Sequence, residues 1–290
     1  MNKTGKRTKK DHSLISAIVV TFVLLLGLSL LLYPTAADYV NSLDYKRDIE
    51  GYQRVVKELD DSEREKMLAD ASDFNERLLK SSLNISALGD ERRKEYNELL
   101  NPSGSGIMGY VEIEKANIYL PIYHGTEESV LQAGVGHIEG SSLPVGGTGT
   151  HTILSGHTGL PSSKLFSNID KLEIGDTFEI HILGEILTYR VESVTVVLPS
   201  EAEKQKLDPN KDICTLMTCT PYGVNSHRLL VTGARIETPV SRYPENETEE
   251  KIPAPIPPVL WITGIVLTVI IIAVTAFAVR KKRSRKGGAR

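Results

Sequence analysis

Residues 213–236 read ICTLMTCTPYGVNSHRLLVTGARI. Two runs rich in β-branched and apolar side chains, 213–219 and 227–236, flank a Thr-Pro-Tyr-Gly stretch that turns the chain. If that loop closes tightly, the second run returns antiparallel to the first and the two pair as strands. Five more short runs of the same kind precede them, at 110–113, 118–123, 151–155, 178–182 and 186–197, with glycines between them. Gly184-Glu185, between the last two, predicts a hairpin. Seven or so strands at this spacing predict a mainly β fold, a closed or nearly closed barrel spanning residues 106–237.

Upstream, the pattern changes from period two to period three or four. Val40, Leu43, Ile49, Tyr52, Val56 and Leu59 recur at helical spacing. Ser62-Glu63-Arg64-Glu65 reads as a capping box opening a second helix that carries Met67, Leu68, Ala71, Phe74 and Leu78. A third, shorter helix is predicted over 91–100. The breaker cluster Asn101-Pro102-Ser103-Gly104-Ser105-Gly106 then marks a boundary, so 38–105 forms a helical segment ahead of the barrel. Residues 238–258 are acidic and proline-rich, the composition of an extended linker.

The ends of the chain point to a membrane. Between Asp11 and Asp38 there is no Lys, Arg, Asp or Glu, and the apolar run 13–34 is long enough to span a bilayer as a helix. A second such run covers 259–279. Basic tails lie outside both, with Lys3, Lys6, Arg7, Lys9 and Lys10 in 1–12 and a further cluster in 280–290, which predicts a two-pass protein with both termini in the cytoplasm. A cleaved signal peptide ending near Thr35-Ala36-Ala37 is the competing reading of the first run, although the run is longer than a signal core. Setting the tails aside, 22 of the 34 basic residues face 36 of the 37 acidic ones, so the external part is about fourteen charges negative. That sign excludes a nucleic-acid-binding surface.

An external location gives the two cysteines their interest. Cys214 and Cys219 lie five apart in one extended run and point to opposite faces of it, so a disulfide would require bending the strand. The plain reading of a free cysteine is a small core residue. Cys214 fits that reading, whereas Cys219 sits at the strand end, where the chain must turn and substrate can reach it. The returning strand brings Arg228 beside Cys219, where a guanidinium can stabilise a thiolate and hydrogen-bond a developing oxyanion. Cysteine and arginine alone leave a core thiol and a surface arginine equally open. Expelling an amine also needs a proton donor, and of the seven histidines the choice falls on His157. It follows the apolar run 152–155 directly in Ser155-Gly156-His157-Thr158-Gly159, another strand end. His12 belongs to the cytoplasmic edge, His181 reads as a solvated strand residue, His124, His137 and His151 as turn residues bonding backbone, and His227 as facing away from Arg228.

Taken together, TLMTC followed by TPYGVNSHR, LSGHTG with its histidine 62 residues before Cys219, GYVEIEKANIYLPIYHGT and GHIEGSSLPVGG resemble the sortases, cysteine transpeptidases of Gram-positive bacteria. Two spans around the domain and the helical preface most resemble the pilus-assembling class C. The resemblance covers roughly residues 38–236 and implies a sortase-type closed barrel. It further implies that Cys219 attacks the Thr-Gly bond of a Leu-Pro-x-Thr-Gly sorting signal, that His157 carries the proton and that Arg228 holds the oxyanion. A lysine amine of a second pilin would be the acceptor, and no metal or organic cofactor is implied.

One departure stands out. Class C sortases carry a lid with an Asp-Pro-aromatic motif, and the corresponding region 81–90 has neither proline nor aromatic residue. A lid here would anchor through Leu83, Ile85 or Leu88, and the site would be less inhibited than in lidded relatives. Two alternatives accompany the pilus reading. One is a housekeeping-type sortase that uses a peptidoglycan precursor as acceptor. The other is a membrane-tethered surface protein with no enzymatic role, whose ending imitates a sorting signal but lacks Leu-Pro-x-Thr-Gly before Val259.

Overall fold

The computed structural model describes residues 5–81, 85, 88–160, 162–239 and 264, with side chains from residue 19 onward. The predicted second span, apart from Gly264, lies outside the described residues, as do the linker beyond 239, the basic tail 280–290 and Leu83. The chain divides into two units, residues 1–40 with 250–290, and residues 41–249.

In the first unit, helix α1 (Gly5–Glu58) begins and runs on past the unit boundary. It is the one described helix long and apolar enough to cross a membrane, and none of its most apolar window is buried. Thr35, Ala36 and Ala37 are helical.

The second unit carries the rest of α1, then α2 (Asp61–Ser81) and α3 (Asp90–Glu98), and then eight strands. These are β1 (Ile107–Ile113), β2 (Ile118–His124), β3 (Val135–His137), β4 (Thr150–Ser155), β5 (Thr177–Ile182), β6 (Glu185–Val197), β7 (Asp212–Thr220) and β8 (His227–Ile236), with a short helix α4 (Glu128–Ala133) between β2 and β3. They close into a barrel in the order β1-β2-β3-β4-β7-β8-β6-β5. Most neighbours are antiparallel, but β2–β3 and β4–β7 are parallel. Seven strands coincide with the runs read from the sequence. The eighth, β3, is three residues long, too short to show a period of two.

Local chemistry sets several of these elements. The β5–β6 hairpin turns on Leu183 and Gly184, both with positive φ (48° and 88°), the two-residue geometry that matches strand twist and favours glycine. The capping box of α2 sits two residues earlier than expected. Asp60 Oδ1 accepts the Glu63 N–H at 2.8 Å and Glu63 Oε2 accepts the Asp60 N–H at 3.1 Å, so Asp60, not Ser62, is the cap. An aspartate accepts this bond as well as a serine does, and placing it first leaves Ser62 inside the helix.

The core is shared by barrel and helices. Ile49, Tyr52 and Val56 of α1 and Ala71, Phe74 and Leu78 of α2 are buried. The Tyr52 hydroxyl accepts the Leu183 N–H at 2.7 Å, which ties α1 to the hairpin. The buried Asn75 amide donates to Leu143 O at 2.9 Å and accepts the Leu143 N–H at 2.7 Å, so α2 is fixed to the loop before β4 with no polar group left unmet.

The histidines divide by environment. His124 has its ring nitrogens 3.0 and 2.8 Å from the carbonyls of Gly106 and Leu99, and His151 Nδ1 lies 2.7 Å from Lys206 O, in keeping with their reading as backbone partners. His181 corrects its reading. It is 7% exposed, stacked on Tyr110 at 4.3 Å and within 3.7 Å of the Glu112 and Glu179 carboxylates. The α1 residues Tyr52 and Gln53 pack onto that face of the sheet through Tyr110, and a strand's alternation cannot reveal a helix laid over its polar side.

His137 is fully buried, with Nε2 donating to Ser142 O at 2.8 Å and Nδ1 3.0 Å from the Tyr96 hydroxyl. Burial above all, with His124 nearby, lowers its pKa from 6.5 to about 4. The unfolded chain therefore binds the proton first between those values, so this contribution to stability is complete above pH 6.5 and shrinks as pH falls toward 4. At 1.36 kcal/mol per pKa step the contribution is about 3 kcal/mol. His137→Gln is expected to flatten the loss of stability between pH 6.5 and 4, as read from urea midpoints. An unchanged slope would show that other groups carry it.

Candidate active site

Three neighbouring strands end together at one rim of the barrel. In the parallel β4–β7 pair, Ser155, the last residue of β4, lies opposite Met217, so the strand ends two residues before His157 and its partner position lies two residues before Cys219. In the antiparallel β7–β8 pair, Cys219 lies directly opposite Arg228, so those two side chains share a face. Across β8, Arg228 is also opposite Val197 of β6.

The backbone around His157 is held firmly. Gly156 N donates to Met217 O at 3.1 Å, Thr218 Oγ1 donates to Gly156 O at 2.7 Å, and Phe166 N donates to His157 O at 3.0 Å. A Cβ on residue 156 would stand 2.7 Å from the Phe166 ring, so only glycine lets Phe166 pack this close. Alternation along β7 explains the different fates of the cysteines. Cys214, Leu216 and Thr218 are buried on one face of β7, whereas on the other face Thr215 is buried but Met217 and Cys219, toward the strand end, are half-buried. Both thiols are free. Burial, with Asp212 nearby, pushes the Cys214 thiol well above its usual range, which leaves it inert as a nucleophile.

Arg228 is part-exposed, and its Nη1 donates to Asn225 O at 3.3 Å and His227 O at 3.2 Å. Among the described residues no carboxylate pairs with it, so its charge is not spent on a neighbour. His157 has 24% of its side chain exposed, with Nε2 3.4 Å from Glu128 Oε2 of α4. Among the described residues no group of three or more His, Cys, Asp or Glu side chains is arranged to hold a metal ion.

The region read as a lid is anchored through two of the three apolar residues expected. Leu88 is buried and its N–H donates to Glu139 Oε1 at 3.2 Å, while the Ile85 N–H donates to Gln205 O at 3.2 Å in the β6–β7 loop. Arg93 Nε holds both Glu139 oxygens, at 2.9 and 3.0 Å. The sequence carried no signal for Glu139, which binds the segment from a turn more than forty residues away.

The sortase-domain family model matches residues 111–236. Sortase C1 of Streptococcus agalactiae is 46% identical, with 67% of this chain and 100% of that one covered at a TM-score of 0.65. The chain belongs to the sortase family. Its structural neighbours include several class C sortases. Sortase C of Streptococcus pneumoniae, whose structure bears on pilin substrate specificity, is 40% identical over 66% of this chain and 97% of that one, with a TM-score of 0.59. Clostridium perfringens sortase C, solved with the C-terminal cell wall sorting motif, is 40% identical over 66% and 99%, with a TM-score of 0.58. Membership makes this sortase a cysteine transpeptidase and sets aside the reading as a surface protein without enzymatic role.

Proposed function

We propose that this sortase polymerises pilins, with Cys219 as nucleophile, His157 as proton carrier and Arg228 as oxyanion partner. The observation that supports the proposal is the register of β7 and β8, in which the part-exposed Cys219 lies opposite Arg228, an arginine with no carboxylate partner among the described residues, while β4, which leads into His157, pairs with β7 up to Ser155 opposite Met217. The Cys219 thiolate adds to the threonine carbonyl of a Leu-Pro-x-Thr-Gly signal, and Arg228 hydrogen-bonds the oxygen as it becomes negative. The C–N bond then breaks, the glycine amine leaves with a proton from His157, and a thioester to Cys219 remains. A lysine amine of the next subunit attacks this thioester and gives its proton to His157. The C–S bond breaks, the thiolate returns and an isopeptide bond links the two subunits.

The chain is read as a two-pass membrane protein with its catalytic domain outside the cell. The apolar part of α1 and the basic residues that flank both apolar runs support this topology. The similarity to Streptococcus pneumoniae sortase C, whose structure bears on pilin substrate specificity, supports the pilus acceptor. Incubation of the full chain with a pilin bearing the signal is expected to give a ladder of high-mass covalent species. Transfer to a peptidoglycan-like amine with no ladder would instead establish the housekeeping type.

A further inference from the structure

The histidine in this site has a partner that the chemistry above does not use. His157 Nε2 is buried and makes no hydrogen bond among the described residues, but it lies 3.4 Å from Glu128 Oε2, and the other oxygen, Oε1, accepts the Gln132 Nε2–H at 2.9 Å. Gln132 is one turn further along the same helix, so it fixes the carboxylate's orientation from within α4. The helix itself is fixed to the catalytic loop. The Tyr45 hydroxyl of α1 lies 2.9 Å from Ser163 Oγ, six residues past His157, and 3.4 Å from Gln132 O of α4. Asn41 Nδ2 donates to Ser162 O at 2.8 Å. One α1 face thus holds both the helix that bears Glu128 and the loop that follows His157. Gln132 first, and then His157, hold the Glu128 carboxyl below its ordinary range, so it is an anion at neutral pH.

We propose that Glu128 is a positioning residue for His157: it takes the Nε2–H, fixes that tautomer and ring orientation, and leaves Nδ1 as the nitrogen that exchanges the proton with substrate amines. A neutral imidazole has one donor and one acceptor nitrogen, and the hydrogen bond at one decides the role of the other. Without a partner at Nε2 both tautomers are populated and the ring turns freely, so only part of the enzyme presents a bare Nδ1 when the acceptor amine must be deprotonated. Glu128 is two-thirds exposed, so its effect is modest beside that of a buried carboxylate.

This inference rests on the reading of His157 as proton carrier, and the test separates the two. With the full chain, Glu128→Ala is expected to lower kcat for transfer roughly tenfold with KM unchanged, Glu128→Asp to recover part of the loss, and the unfolding midpoint to stay put. Nitrogen-15 spectra of histidine-labelled protein are expected to show the His157 ring as the Nε2–H tautomer, and as a mixture in Glu128→Ala. In the double variant with His157→Ala, loss of Glu128 is expected to cost nothing further. Unchanged kcat and ring spectrum, or a full additional loss from the residual rate in the double variant, would overturn the positioning role while leaving a His157→Ala slowed by orders of magnitude to support the parent reading. An active His157→Ala would overturn both.

Discussion

Cys219→Ala is expected to abolish transfer, by at least about 10⁴-fold, and to abolish the covalent adduct with a sorting peptide, whereas Cys214→Ala keeps both. The two thiols sit on the same strand, so the contrast tests position and not mere cysteine content. Cys214 faces the interior with no exposed surface, and its burial opposes the thiolate that attack requires. Cys219 lies at the end of β7, half-buried and beside the turn whose Thr220-Pro221 peptide is cis. Intact mass spectrometry after a brief exposure to peptide reads the result directly. An adduct that survives in Cys219→Ala, or vanishes in Cys214→Ala, would move the nucleophile elsewhere.

The second large effect belongs to Arg228. Both Arg228→Ala and Arg228→Lys are expected to lower kcat by about 10²- to 10³-fold, the usual effect of removing one oxyanion donor, with little change in KM. Lysine fails because it offers a flexible point charge where the guanidinium offers a rigid fork of donors. The structure supports this in two ways: the residue lies directly opposite Cys219, and its Nη1 is oriented by two backbone carbonyls, from Asn225 and His227. If Arg228→Lys retains full kcat, the arginine serves only as a charge, and the oxyanion must be held by other donors.

Much of the scaffold was legible before any coordinates. The β-branched runs and their glycine punctuation predicted seven of eight strands, because alternation and turn chemistry are local properties. The β5–β6 hairpin followed from Gly184 for the same reason, and the juxtaposition of Cys219 with Arg228 followed from a short loop between two strands. Other features were hidden by contacts distant in sequence. β3 exists because β2 and β4 both bond to it, not because three residues show a pattern. His181 reads as solvated until α1 is laid over β1 and β5. Glu128 lies 29 residues before His157, on a helix too short to announce itself, and nothing in its neighbours suggests an imidazole.

The division has one physical source. Chain-local energetics, namely backbone preference, side-chain alternation and hydrophobic length, determined the β-rich class, the helical preface, the apolar segments and the candidates at strand ends. The closed order of strands, with its parallel β4–β7 pair, and the company each polar side chain keeps were decided only by tertiary packing. Such pairings depend on which surfaces bury one another, and that is a property of the whole folded chain.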